Sequence, residues 1–176
     1  MNPRIAKLKT YKGIPIVFFA TIDKKGIPDF KVTDEEKRMR CGKEHLCWIC
    51  GEPLTMPICF IGGPHSVAQG TFTDGPMHAE CAADSMEMCP WLLGRMDYAP
   101  PESFKMDRHN RPVRFVTGAA RPEMVKSPDR VAIYKCLGFD ILILPLQGGR
   151  CAWFFKAFTA LSVDFRDRIA PTAKTA

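Results

Sequence analysis

The hydrophobic and polar positions near the start of the chain alternate as they do in an antiparallel hairpin. An apolar run covers residues 14–22, and the Asp-Lys-Lys-Gly sequence at 23–26 has the chemistry of a tight turn. In the returning segment, 27–32, a phenylalanine and a valine alternate with a lysine. A period of two next to a turn predicts two paired β-strands.

A short helix is predicted directly after this hairpin. Asp34 is a suitable N-cap, Glu35 and Glu36 occupy the first turn, and basic residues follow them. This order of charges is the one that the helix dipole stabilises. The helix is expected to end near Gly42.

Short apolar segments predict the strands of the remaining chain. The glycine pair in Gln-Gly-Gly-Arg at 147–150 suits a tight turn between the last two strands. Residues 141–144 are apolar on both faces, so this strand is expected to be buried, with Pro145 at an edge or bulge. The predicted strands are 57–61, 70–73, 113–117, 131–136, 140–146 and 151–155.

A helix is predicted near the C-terminal end of the chain. Apolar residues recur there at spacings of three and four, which places them on one helix face that can cover the sheet. This face is expected to be core. Its residues are Phe158, Leu161, Phe165 and Ile169.

The central stretch carries four candidate metal ligands in two pairs. Cys47 and Cys50 are separated by two residues, and Gly51 behind them can take the positive φ that such a turn often needs. His78 and Cys81 have the same spacing. Two such pairs are a usual way for one chain to supply the four ligands of a tetrahedral zinc ion.

The second pair is expected to lie on a helix that begins near Pro76. Side chains three residues apart project from one helix face, so His78 and Cys81 would both be presented in the first turn. The sequence therefore predicts that one zinc ion is held between this helix and the Cys-x-x-Cys turn at 47–50, which we call the knuckle.

Other interpretations of these residues remain open. The three cysteines can be small buried residues without a metal. A redox Cys-x-x-Cys is less favoured, because Gly-Glu-Pro-Leu at 51–54 breaks the helix that should follow it. Cys89 can replace His78 as a ligand or form a second site with His45 or His65.

Composition and charge describe a globular chain with a basic surplus. The 176 residues are 46% hydrophobic, and 25 basic residues against 19 acidic ones give a net charge of +6. No apolar run is long enough for a membrane span, and no secretory signal is recognised. The five cysteines outside the two pairs fit a reducing compartment, so we expect a cytoplasmic protein without a membrane partner.

These elements predict an α+β fold, in which a treble-clef-like zinc finger is embedded in a small antiparallel sheet domain with a C-terminal helix. Knuckle, hairpin and a helix with the last two ligands follow in treble-clef order. The pairs also match the first half of a LIM domain, but no second ligand set follows. Within one globular unit we distinguish an N-terminal hairpin and helix (1–46), the finger (47–95), a basic proline-rich loop (96–130) and a sheet hairpin with terminal helix (131–176).

Several motifs of the first half carry a family resemblance. They are Gly-Ile-Pro at 13–15, Gly-Ile-Pro-Asp-Phe at 26–30, Cys-Trp-Ile-Cys-Gly-Glu-Pro-Leu at 47–54, His-Ala-Glu-Cys-Ala at 78–82 and Cys-Pro at 89–90. Together they resemble a family of small uncharacterised zinc-finger proteins from phages and bacterial genomes. The resemblance implies a phage or prophage origin and a bound metal, and it implies no activity.

Three functions follow from these features. A binding module for nucleic acid or a host protein, with structural zinc, is favoured, because four protein ligands leave no open position on the ion. An HNH-like nuclease needs a histidine base, usually beside an aspartate. His65 has no acidic neighbour in the sequence, and His109 comes after the helix. The third function is inhibition of a host defence protein.

A candidate contact surface for DNA or RNA lies in the proline-rich loop. Arg108, Arg111 and Arg114 are three residues apart. In an extended chain this spacing places the side chains on one edge, where they can meet successive phosphates. The alternative is a solvated loop whose charges keep the protein soluble.

Overall fold

The computed structural model describes residues 1–93, 128–145 and 151–168. Helices and antiparallel sheets occur together, which confirms the α+β class. The helices are α1 (Pro3–Ala6), α2 (Glu35–Lys43), α3 (Pro64–Gln69) and α4 (Ala79–Met88). The strands are β1 (Thr10–Tyr11), β2 (Ile14–Pro15), β3 (Ala20–Ile22), β4 (Pro28–Thr33), β5 (Ile58–Gly62), β6 (Thr71–Phe72), β7 (Met77–His78), β8 (Arg130–Pro145) and β9 (Cys151–Asp167).

A five-stranded antiparallel sheet joins the middle of the chain to its C-terminal part. Its strand order is β6-β9-β8-β5-β7. β8 and β9 pair from Arg130 opposite Asp167 to Pro145 opposite Cys151, which confirms the predicted sheet hairpin. The predicted turn at 147–150 lies outside the described residues, as do the predicted strand at 113–117, the arginines of the proline-rich loop and Ile169.

The N-terminal hairpin and the helix after it are confirmed. β3 and β4 pair antiparallel, and the carboxylate of Asp23 accepts hydrogen bonds from the backbone N–H groups of Lys25 and Ile27, each at 2.8 Å. The start of the apolar run at 14–22 belongs instead to β2, which pairs with β1. Asp34 caps α2 by accepting from two backbone N–H groups at 3.1 and 3.2 Å, and α2 ends at Lys43.

The predicted C-terminal helix is wrong. Phe158, Leu161 and Phe165 lie on β9, and their side chains are 46%, 53% and 37% exposed. Lys135 pairs with Ser162 and Cys136 pairs with Ala160, so Leu161 is an extra residue in a β-bulge. Because a bulge interrupts the period of two, the apolar residues Phe158 and Leu161 are three positions apart, which is a spacing typical of a helix.

The expected burial of residues 141–144 is also wrong, because Ile143 is 59% and Leu144 is 43% exposed. α2 covers this part of β8 at Ile141, against which Gly42 lies so closely that an added Cβ would be 2.6 Å from it. The pairing of β5 with β8 ends at Cys136. The end of the β8–β9 ribbon therefore projects beyond β5.

One helix that was not predicted, α3, lies between β5 and β6. α3 follows Gly63, begins at Pro64 and ends at Gln69, and its C-cap is Gly70, whose φ is 58°. Proline at the start of a helix and glycine after its end are helix signals, so α3 could have been predicted from the sequence. The strands predicted at 57–61 and 70–73 are confirmed as β5 and β6, but β5 pairs with β7 rather than with β6.

An aromatic cluster forms the centre of the core. The ring of Phe60 stacks on Phe72 with 4.8 Å between the centroids and meets Phe139 and Phe155 at 5.7 and 6.1 Å. All four rings are buried. None of the helices in the described part of the chain is long and apolar enough to span a membrane.

Candidate metal centre

The first ligand pair lies in a tight knuckle. The backbone N–H of Gly51 donates to the carbonyl of Cys47 at 2.8 Å, and Gly51 has the positive φ, 74°, expected from the sequence. The N–H of Cys47 donates to the carbonyl of Glu52, also at 2.8 Å. These bonds close the turn, which brings both cysteine sulfurs to one side of it.

The second pair spans the junction of β7 and α4. His78 ends β7 and is the N-cap of α4, and Cys81 lies in the first turn of α4. The helix therefore begins three residues later than the expected start at Pro76, and His78 is presented by a strand end. The N–H of Trp48 donates to the carbonyl of Pro76 at 2.7 Å, which ties the knuckle to this junction.

The structure brings the four predicted ligands together. The sulfurs of Cys47, Cys50 and Cys81 and a ring nitrogen of His78 all lie within 4.8 Å of one another. The Nδ1 atom of His78 is 3.4 Å from the sulfur of Cys50 and 3.9 Å from that of Cys81. Cys50 is half-buried, and the other three ligands are fully buried. This cluster can hold a metal ion.

The ring of His78 is oriented by a backbone carbonyl. Its Nε2 atom lies 2.9 Å from the carbonyl oxygen of Pro53, which can only accept a hydrogen bond. The proton of a neutral imidazole therefore belongs on Nε2, and the lone pair of Nδ1 faces the sulfurs. Such a partner on the second ring nitrogen is typical of metal-binding histidines.

The electrostatics of the cluster favour a cation. The pKa of Cys47 is lowered to about 3, because its sulfur accepts hydrogen bonds from the thiols of Cys50 and Cys81 and, with a smaller effect, from backbone N–H groups. The pKa of Cys81 is raised, because its thiol donates to Cys47 and because like charges and burial oppose a second thiolate. A thiolate at Cys81 beside that of Cys47 is therefore disfavoured unless a positive ion lies between the sulfurs.

The other cysteines and histidines do not join the cluster in the described structure. Burial raises the pKa of Cys41 and of Cys59 to about 12, so both remain inert thiols. Cys89 follows the end of α4, and His45 and His65 are exposed. The structure thus leaves Cys89 outside the ligand set that it forms.

The N-terminal segment supplies partners that the sequence did not reveal. The amide of Asn2 lies 3.9 Å from the sulfur of Cys81 and donates to Asp84 at 2.9 Å. Arg4 forms ion pairs with Glu52, beside the knuckle, and with Glu80, on α4. Asn2 followed by proline is a recognisable helix start, but its contact with a residue 79 positions away is not readable from the sequence.

Gly51→Ala is expected to destabilise the protein more than Gly26→Ala. Both glycines have a positive φ, 74° and 78°, so both variants carry a backbone cost of about 1–2 kcal/mol. Only at Gly51 would the new Cβ also lie 2.6 Å from a ring carbon of Phe18, and overpacking adds about 1–3 kcal/mol. Urea unfolding of both metal-loaded variants measures the difference, and equal losses would show that Phe18 moves aside freely.

The fold and the cluster define a small α+β protein with a Cys3His site that can hold a metal ion. A scan against models of protein families matches none of them, and no curated protein or solved structure is found to be similar to this chain. The resemblance of the motifs to phage proteins therefore stays a prediction.

Proposed function

We propose that the cluster holds one structural zinc ion. Three thiolates and one imidazole are a common donor set for structural zinc, which they surround as a tetrahedron. Bond lengths of about 2.3 Å to sulfur and about 2.0 Å to nitrogen place a sulfur and a nitrogen about 3.5 Å apart. The two sulfur-to-nitrogen distances around His78, 3.4 and 3.9 Å, support this geometry.

A structural role follows from the number of donors. Four protein ligands leave no coordination position for water or substrate, which separates structural from catalytic zinc. The second ring nitrogen of His78 is also used, by the carbonyl of Pro53. The order of the knuckle, the β5–β7 pair and α4 supports a treble-clef-like finger.

The proposed function is a binding module of phage type, in which zinc holds the finger and the protein surface binds nucleic acid or a host protein in the host cytoplasm. The closed ligand set carries this proposal. An HNH-like nuclease is less well supported, because His65 lies exposed on α3 and His45 lies exposed outside the ligand cluster.

The nucleic-acid arm of the proposal is tested by a salt titration of binding to a short DNA duplex. The expected result is weak, sequence-independent binding that falls steeply as salt rises, because bound phosphates release counterions. Changing Arg108, Arg111 and Arg114 together to Ala should make the slope of log affinity against log salt less steep by about 3, because each lost phosphate contact removes about 0.9 from its magnitude.

A matched triple variant controls for net charge. Lys24, Lys25 and Lys43 are exposed, and changing all three to Ala removes the same number of charges elsewhere on the surface. This control should keep most of the slope. If the wild type fails to bind at low salt, or the two triple variants behave alike, the nucleic-acid arm is rejected and a protein partner remains.

A further inference from the structure

An apolar groove lies next to the knuckle. Its walls come from the N-terminal segment and β3, and they are formed by Leu8, Ile16, Val17, Phe18 and Ile22. The volume of the groove is about 250 Å³. Pockets for drug-sized ligands measure about 300–1,000 Å³, so this groove has room for one large side chain and little more.

The knuckle itself forms part of this groove. Cys50, the half-buried ligand, lines it, and the N–H of Phe18 donates to the carbonyl of Ile49 at 2.7 Å. The ring of Phe18 also packs on Gly51. The shape of the groove therefore depends on a folded knuckle, and so on the proposed zinc ion.

The rim of the groove is basic. Lys9 and Lys37 line it, and no described carboxylate pairs with the exposed side chain of Lys9. The ammonium group of Lys37 donates to the carbonyl of Ala20 at 2.7 Å, and it lies 3.9 Å from a carboxylate oxygen of Asp34. The guanidinium of Arg40 lies 5.6 Å from the ring of Phe18, but it is paired with Glu44 at 2.9 and 3.0 Å. Positive charge at the rim therefore exceeds negative charge by the one charge of Lys9.

The side of the groove that Cys50 lines has the opposite charge when zinc is bound, because a divalent ion with three thiolates and a neutral imidazole has a formal charge of −1. An acidic group would be repelled by that side and attracted by Lys9 and Lys37. The groove therefore suits a ligand whose apolar part enters and whose carboxylates stay outside.

We propose that this groove binds a short acidic segment of a partner protein, with one aromatic or large aliphatic side chain inserted and flanking carboxylates at Lys9 and Lys37. The inference rests on the proposed binding function and identifies its protein-binding surface. An anchoring side chain in a pocket with charged groups at the rim is a common arrangement in protein recognition.

The test uses the full-length, zinc-loaded protein and the blocked peptide Asp-Glu-Phe-Glu-Asp as the probe. Amide chemical shifts are followed by NMR while the peptide is added up to a concentration of about 1 mM. A dissociation constant of that order is expected for a ligand with one anchoring side chain and two ion pairs. The expected shifts lie at the groove residues, above all Phe18, Ile22 and Cys50. Peptides with Ala for Phe, or with Lys for the acids, should bind more weakly.

Two pairs of variants make the test specific. Ile22 lines the groove and is 47% exposed, whereas Ile27, in the same hairpin and 41% exposed, does not line it. Ile22→Ala should weaken peptide binding about fivefold to tenfold, because apolar contact area is lost, and Ile27→Ala should leave it unchanged. Lys9→Glu should weaken binding more than Lys24→Glu does.

Four results would overturn the proposal. They are the absence of groove shifts with about 1 mM peptide, equal behaviour of the Ile22 and Ile27 variants, groove shifts with a short DNA duplex in place of the peptide, and groove shifts with protein concentration alone. Zinc content is measured in the same samples. A protein that binds zinc but not the peptide refutes the groove alone, and a folded protein without metal refutes structural zinc.

Discussion

Cys50→Ala is expected to unfold the finger, whereas Cys89→Ala leaves the chain folded and metal-bound. Both cysteines are half-buried, so they lose similar packing when truncated. Only Cys50 belongs to the ligand cluster. Binding of structural zinc contributes on the order of 10 kcal/mol to folding, which is comparable to the whole stability of an ordinary domain, about 5–15 kcal/mol.

Native mass spectrometry and hydrogen exchange measure this difference. The wild type and Cys89→Ala should each carry one zinc ion, and Cys50→Ala should carry none. Fast exchange is expected in Cys50→Ala at the N–H groups of Trp48 and Gly51, which are hydrogen-bonded in the folded knuckle. A wild type that is fully folded without metal would refute the structural role of zinc.

The loss of structure in Cys50→Ala should extend to the N-terminal segment that contains α1. Arg4 connects this segment to Glu52 and to Glu80, and Ile5 of α1 is buried in the core. Ion pairs at the surface contribute little to stability because water screens them, so these contacts cannot hold the segment once the knuckle and α4 separate. Protease cleavage after Lys7 or Lys9 in Cys50→Ala would report this release.

Features governed by local chemistry were predictable from the sequence. The spacing of Cys47, Cys50, His78 and Cys81 identified the residues that the structure brings together. Asp34 was identified as a cap, and Gly51 as a positive-φ position, because each depends on its immediate neighbours. These predictions needed no knowledge of the rest of the fold.

Features governed by contacts between distant residues were not predictable. The helical spacing from Phe158 to Phe165 arose from a bulge at Leu161, and a bulge depends on the partner strand. The exposure of Ile143 depends on where β5 stops, which is far away in the sequence. The acceptor of the His78 ring proton is the carbonyl of Pro53, and every residue type has such a carbonyl.

Phe155→Ala is expected to cost about 3–5 kcal/mol of folding free energy, and Phe165→Ala about 1 kcal/mol or less. Phe155 is fully buried, and its ring lies 5.7 Å from that of Phe139 and 5.6 Å from that of Trp153. Phe165, on the same strand, is 37% exposed, and its ring faces the guanidinium of Arg130 at 4.9 Å.

The two variants form a matched pair, because each removes the same ring from β9. Truncation at Phe155 leaves a cavity inside the aromatic cluster, and the surrounding side chains can relax only in part. Truncation at Phe165 removes a ring that water already reaches and leaves no closed cavity. Urea unfolding of the zinc-loaded proteins measures both losses. If Phe165→Ala costs as much as Phe155→Ala, the ring of Phe165 is covered in solution, and the exposed face described for this part of β9 is wrong.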